Sequence, residues 1–348
     1  MASTSYPVNH PLAVKHWANE LMVEALKKTS FSQFIGKSSG ALCQVRTELG
    51  SKAGDRVRFG IRYQLAGTGT VGDETLEGNE ENLVTYSDNV TINQTRHAVR
   101  SEGKMSEQRV PFNVRSEARD GLADWYANMM DTAFFTQLCG YTGETRASFY
   151  GHNTATVPDS DHWITSAATI SEGALQSTST FSLSSIDTVV EKAKTLRLAL
   201  RPLDLGRGMK KWVMFLHPYQ VTAMRASTST GQWLDIQKAA MNGGNTTNNP
   251  IFTGALGEYN GVVLHESTRV PAGTSTTRRA VLCGAQAMAC AYGMGSGGAT
   301  PYEWHEELFD YGNSLGVAAA SIWGMKKTVF NGSDVGSIVL STYAVAAT

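Results

Sequence analysis

Between Leu12 and Leu26 the apolar residues Val14, Trp17, Ala18, Leu21, Met22, Ala25 and Leu26 recur at intervals of three and four, with Lys15, Glu20, Glu24 and Lys27 opposite them. That is the period of an amphipathic helix. Phe31, Phe34 and Ile35 follow, then a Gly36–Gly40 loop. A helix on so flexible a connection is expected to clamp an adjacent copy and not to join the chain's own core. From Ala41 to about Ala66 the period becomes two: Val57, Phe59, Ile61 and Tyr63 alternate with Arg56, Arg58, Gly60 and Arg62, and alternation resumes at Leu83–Val99. Two strands are therefore predicted to face each other across Gly67–Asn82. This connection is Gly-rich and acidic, too long for a tight turn and too polar for a core, so it reads as the tip of a projecting β-arm.

After Pro111 the residues Val114, Ala118, Leu122, Trp125, Met129 and Leu138 trace one face of a helix that can run to Gly140. About 26 residues at 1.5 Å each give roughly 39 Å, enough for the backbone of a flat domain. Residues 141–180 are rich in Thr, Ser and Gly and predict no element. A helix is predicted from Leu183, capped by Ser184 with Asp187 in its first turn, through Val190 and Leu196 to Leu200, where Pro202 ends it. Trp212–His217, Gly261–Ser267 and Arg279–Cys283 read as strands. A short helix from Pro218 to Met224 follows the first of these, and an Ala-rich helix around Ala285–Ala291 follows the third. The tail returns to β at Tyr302–Leu308, Leu315–Phe330 and Val335–Val345, with Gly332 as a turn. The fold class is α+β, without an internal repeat.

With 348 residues the chain has room for about two domains. Lys plus Arg is 30 and Asp plus Glu is 31; that balance excludes a chain held to nucleic acid or to an anionic membrane by net charge alone. The charged fraction is 18% where about 25% is usual, a deficit of about 26 charges. Such a chain either carries a Ser/Thr/Asn surface or hides surface against other subunits. The charges on the arm are also sorted. Residues 46–62 hold five basic residues against two acids, residues 63–95 hold six acids and no Lys or Arg, and residues 96–119 hold six basic residues against three acids. An acidic tip (Asp73, Glu74, Glu77, Glu80, Glu81) between basic stems (Arg56, Arg58, Arg62, Arg96, Arg100) suits docking on an oppositely charged neighbour. The alternative is a solvated hairpin whose charges serve solubility. Trp17 and Leu21, on the N-terminal stripe, complete the set of candidate inter-subunit contacts.

The chemistry-bearing motifs are weak. Gly67-Thr-Gly-Thr-Val-Gly72 has dinucleotide-fingerprint spacing, but Asp73, Glu74 and Glu77 follow where a phosphate-binding helix should begin. Gly36-Lys37-Ser38 is half a P-loop, with Phe31 where the first glycine belongs. The histidines His10, His16, His97, His152, His162, His217, His265 and His305 never fall at a metal-ligand spacing, and His305-Glu306-Glu307 sits in an alternating strand pattern. His217, ending an apolar strand before Pro218, reads as a satisfied buried histidine, and Trp125, Trp212 and Trp323 read as core or interface. Cys43, Cys139, Cys283 and Cys290 form no C-x-x-C pair and are expected reduced. The start of the chain shows no secretory signal, so Asn89, Asn93, Asn245 and Asn331 are not expected to be glycosylated. No apolar run approaches a membrane span. No catalytic, cofactor-binding or metal residue is assigned and no cofactor is expected; a hydrolase site assembled in three dimensions is the enzyme alternative.

The order of elements, amphipathic N-terminal segment, projecting β-arm, long helix, compact α+β region and β return, resembles the major capsid proteins of tailed double-stranded DNA phages with the Hong Kong 97-type fold. It is similar in particular to the branch typified by the phage N-four major capsid protein. The residues carrying the resemblance are Val57–Tyr63 leading into the acidic loop, Trp212–Gln220, Asn249–Gly261, Arg279–Cys290, and Phe309-Asp-Tyr-Gly-Asn-Ser through Gly324–Gly332. It covers nearly the whole chain, residues 141–180 least well. The resemblance implies an N-terminal arm at 1–40, an extended loop at 41–110, a peripheral domain at 111–183 with its spine helix at 111–140, an axial domain at 184–300 and a β return to the peripheral domain at 301–348. It implies no catalytic residues. It implies pentamers and hexamers of one chain closing into an icosahedral shell, assembled in the host bacterial cytoplasm and found in the virion. The implied partners are further copies of the chain, packaged double-stranded DNA bound non-specifically, and portal, separate scaffold and decoration proteins; no membrane is implied. The long charged N-terminal scaffold region of some relatives is not seen, so a scaffold is expected to be a separate protein, the alternative being a processed form of the chain. A cellular nanocompartment shell of the same fold is the nearest rival, and a carbohydrate-binding tail protein a more distant one.

Overall fold

The computed structural model describes residues 24–25, 28–29, 31–47, 54–62, 69–73, 75–80, 85–111, 113–167, 171–196, 200–204, 210–226, 256–293 and 302–346. The helix expected over 12–26, with Trp17 and Leu21, lies outside the described residues except for its end. In chain order the first elements are β1 (Ile35–Gly36), β2 (Cys43–Arg46), β3 (Arg56–Arg62), β4 (Thr85–Thr91), β5 (Asn93–Arg100), α1 (Lys104–Gln108) and α2 (Val114–Leu138). Then come β6 (Trp163–Thr165), α3 (Leu183–Thr195), β7 (Leu203–Asp204), β8 (Lys210–Leu216), α4 (Pro218–Ala226), β9 (Glu258–Tyr259) and β10 (Val262–Glu266). The last are β11 (Thr277–Cys283), β12 (Met288–Tyr292), β13 (Tyr302–Phe309), β14 (Ser314–Lys327), the small hairpin β15 (Val329–Phe330) and β16 (Ser333–Asp334), and β17 (Ser337–Tyr343).

Helix α2 begins where the Asn113 side chain accepts a hydrogen bond from the Arg115 amide at 3.0 Å, an N-cap. It ends in a Schellman motif, with Gly140 at φ 60° and bonds from the Tyr141 and Gly140 amides back to the Thr136 and Gln137 carbonyls. A Cβ at Gly140 would lie 2.5 Å from Pro158 Cδ, so glycine is required there on two grounds. The expected apolar stripe describes only the first half of α2. From Tyr126 onward nearly every residue is buried, because the segment entering from the N-terminus covers the outer side: Ala25 is fully buried, Phe31 stacks on Phe134 with centroids 4.2 Å apart, and Lys28 pairs with Asp124 at 2.7 Å. This corrects the expectation of a segment detached from the core, since its described end belongs to the core of its own chain.

Two sheets meet on α2. One is built on the long strand β14. Residues Gly316–Ser321 of β14 pair with β5 on one side and β13 on the other, and Trp323–Lys327 pair with β12, which continues outward through β2 to β1. The other sheet runs β6-β17-β11-β8-β10-β9, with β7 also on β8. Both of its faces are buried, which explains its continuous apolar runs. Val213, Phe215, Val281, Cys283 and Val339 face the α2 core. Met214, Leu216, Ala280, Leu282, Ile338 and Leu340 face a second core capped by α3 and α4 through Ile186, Val189, Val190, Val221 and Met224.

Several expectations are corrected. The Ala-rich stretch around Ala285–Ala291 is not a helix: Met288–Tyr292 is strand β12, with Met288, Cys290 and Tyr292 in the α2 core and Ala289 and Ala291 on the opposite face. The alternation of large and small side chains there has period two, and pairing on both edges outweighs the helix preference of alanine. Helix α3 stops at Thr195, where Leu196 turns extended, and its N-cap position is Ser182, not Ser184. The strand expected over 315–330 breaks at Thr328. Sheet membership also departs from the contiguous ranges: β2 and β12 join the α2-bearing sheet with β13 and β14, whereas β17, in the range expected to return there, lies inside the other sheet.

Candidate inter-subunit surfaces

The arm is the antiparallel pair β3–β4, in register from Arg56 opposite Thr91 to Arg62 opposite Thr85. Its alternation divides the faces: Val57, Phe59 and Val90 pack with Ile92 on Ala289, Ala291 and Ile322, while Arg56 and Arg58 are exposed. The alanines of β12 leave the space that the arm root fills. Arg58 Nε donates to Asn89 Oδ1 at 3.3 Å across the ribbon. Arg62 lies at the far end of β3, about 20 Å from Arg56 at 3.3 Å per residue.

Beyond it the tip is held by local turns. Gly69, Gly72 and Gly78 have φ of 67°, 71° and 93°, the Asn79 amide donates to Leu76 O at 3.0 Å, and the Gly78 amide donates to Glu80 Oε2 at 2.8 Å. Asp73, Glu77 and Glu80 are exposed, and so are two apolar residues between them, Val71 at 77% and Leu76 at 60%. Glu74 and Glu81 lie outside the described residues. Arg56 and Arg58 lie at the root of the ribbon.

The basic residues of β5 behave differently. Arg96 is exposed. Arg100 is also exposed but committed to its own chain: Nε donates to Ser314 Oγ at 3.0 Å, and the guanidinium lies 4.3 Å from the Phe309 ring centroid. Four exposed apolar side chains were missed by sequence reasoning: Val99, Met105 on α1, Leu308 and the fully exposed Tyr311. Tyr311 stands on the β13–β14 turn, where Asp310 and Tyr311 take φ of 49° and 50°. The available signal was that Trp304, Glu306 and Leu308 share a face, and that this face outruns the start of α2, to which Arg115 ties Glu306 at 2.7 Å.

The titratable groups inside the body are quiet. Burial, then the Arg278 charge, lowers His217 to about 4, and its Nδ1 accepts from the Tyr219 amide. Burial also lowers His152 and His265. All four cysteines are free and buried; burial raises Cys139 and Cys290 to about 12 and Cys43 and Cys283 well above the usual thiol range, so at neutral pH these are thiols and not thiolates. Among the described residues no group of three His, Cys, Asp or Glu is placed to hold a metal ion.

The sequence profile of the phage capsid protein family matches residues 5–346. A major capsid protein of Pseudomonas phage KPP25 is 26% identical over 367 aligned residues, covering 95% of this chain and 94% of its own. The capsid of Ralstonia phage GP4 superposes with a TM-score of 0.80 at 37% identity, covering both chains completely. The capsid asymmetric unit of cyanophage Pam1 does so with a TM-score of 0.74 at 19% identity, covering 99% of this chain and 96% of that one. The Pam1 likeness bears on fold alone.

Proposed function

The chain belongs to the phage capsid protein family, and from that premise we propose that it is the major capsid protein of a tailed phage, closing as pentamers and hexamers into an icosahedral head around double-stranded DNA. In this reading α2 is the spine, the sheet on β14 with α2 is the peripheral domain, and the sheet capped by α3 and α4 is the axial domain around which copies gather. The observation that carries the proposal is the arm tip. Val71 and Leu76 are exposed among three described carboxylates, on a two-stranded ribbon of a kind that is marginal by itself in water. A second copy supplies what the tip lacks, an apolar recess with a basic rim, and charge sorting fixes the register of the contact.

DNA is held without sequence readout and with little net electrostatic hold on phosphate, the chain's net charge being −1. Portal and decoration proteins are separate chains, the shell assembles in the host cytoplasm, and no catalytic step is assigned. A phage head is favoured over a cellular nanocompartment because the matching relatives are phage capsids. The test is sedimentation of the purified full chain over a range of salt, with electron micrographs of the fast fractions. Rings or closed shells are expected; compact monomers under every condition would overturn the proposal.

A further inference from the structure

The arm and the body are one continuous strand at their junction. Thr91 is the last residue of β4 to pair with β3, opposite Arg56, and Asn93 is the first of β5 to pair with β14, opposite Trp323. Only Ile92 lies between. The root of the ribbon packs its apolar face on Ala289, Ala291 and Ile322, but something must also fix the main chain at the one-residue junction. The Asn153 side chain does so: its Oδ1 accepts from the Thr91 amide at 2.9 Å, and its Nδ2 donates to Thr91 O at 2.9 Å, to Gly151 O at 2.9 Å and to Met325 O at 3.3 Å. The carboxamide thus stands in for a peptide group of a neighbouring strand, meeting both main-chain groups of one residue. Asn153 is itself held by the spine, since Gln137 Nε2 donates to its carbonyl and to Tyr150 O. A second attachment lies one turn of the pleat away, where Asp88 pairs with Lys326 and accepts from the Val329 amide at 3.2 Å.

We infer that Asn153 is a positioning residue that fixes the angle at which the arm leaves the body, with Asp88 and Lys326 as its second fastening. Aspartate has no donor for Thr91 O and adds a buried charge, and alanine leaves both Thr91 groups unpaired. Gly324 completes the seat, because a Cβ there would lie 2.1 Å from Thr91 O. The functional consequence rests on the proposal that the arm engages another copy: an arm held at one angle presents its tip where that copy's recess lies, and a swinging arm does not.

The angle can be read without reference to assembly. Nitroxide labels at Thr75→Cys on the tip and Lys194→Cys on α3, with labelled chain diluted in unlabelled chain, give an arm-to-body distance distribution by pulsed electron resonance; the four native cysteines are buried. One narrow distance is expected in the parent, and a distribution at least about twofold broader in Asn153→Ala and Asn153→Asp. Amide exchange across 85–91 should rise about tenfold in the variants while that of 277–283 is unchanged. In the unaltered chain the Thr91 amide should exchange as slowly as the paired amides of β5. An unbroadened distribution in a folded variant, or a fast Thr91 amide in the parent, overturns the inference whatever the shells do. A broadened distribution with normal shell formation leaves the inference standing and counts against an inter-subunit role for the arm.

Discussion

Glu172 and Arg279 form a buried ion pair. The guanidinium grips the carboxylate by two bonds of 2.8 Å, and Ser341 Oγ and Thr274 Oγ1 donate to the same carboxylate at 2.8 and 3.0 Å. Arg279 Nη1 then closes the carbonyls of Cys139 and Gly140 at the end of α2. Burial raises the Glu172 carboxyl, but the bonds from Arg279 and Ser341 outweigh it and hold it below the usual range. Glu172→Gln leaves a buried guanidinium without its counter-charge and should cost about 3–5 kcal/mol; a calorimetric loss below about 1 kcal/mol would contradict this. His217 acts over a different pH window. The unfolded chain protonates it below 6.5 and the folded chain only below about 4, so stability is full above pH 6.5 and drains away as pH falls toward 4. The bound on this contribution is about 3 kcal/mol, and His152 and His265 add to it in the same direction. The midpoint of thermal unfolding should therefore drop between pH 7 and 5, and less steeply in His217→Asn. Nothing in the sequence marked Glu172 as a partner of Arg279, because 107 residues separate them and residues 141–180 carry no periodic pattern. His217, beside an apolar strand end, was legible as a buried histidine.

Among the elements, β8 and β11 were readable from their apolar runs although both of their faces are buried, whereas β12 was not. Strand β3 alternates charged and apolar residues because one of its faces packs on the body, and α2 shows a stripe where only the sheet covers it. Strand β12 is enclosed between β2 and β14 with a core on each face, and its alanines, small for the sake of the arm root above them, look like helix formers. At the N-terminal segment, Gly36–Gly40 signals a flexible joint, but Phe31 is stacked on Phe134 ahead of it. Phe31→Ala should cost about 3–5 kcal/mol of subunit stability. A chain starting at residue 37 should show the same loss in chemical denaturation. An unchanged unfolding midpoint in both would return this segment to the role of a detached clamp.

For the whole molecule the deficit of charge is the relevant number. A chain with 18% charged residues that leaves Val71, Leu76, Met105, Leu308 and Tyr311 in solvent is built to be covered by its own kind. The architecture was legible from the order of elements, whereas the interlacing of the two sheets was not, because strands distant in sequence pair by complementarity that a local pattern does not record. Replacing Asp73, Glu74, Glu77, Glu80 and Glu81 by their amides should leave the melting of the subunit within about 0.5 kcal/mol, since exposed charges contribute little to a core. It should weaken assembly and flatten its salt dependence; equal shell yield at every salt concentration would remove the charges from the contact. The most direct measurement is a residue-level cryo-electron reconstruction of particles formed by the purified full chain. The account predicts a closed icosahedral shell in which Val71, Leu76 and the tip carboxylates of each copy are seated on another copy. Discrete monomers, or a shell whose arm tips stand free in solvent, would contradict it.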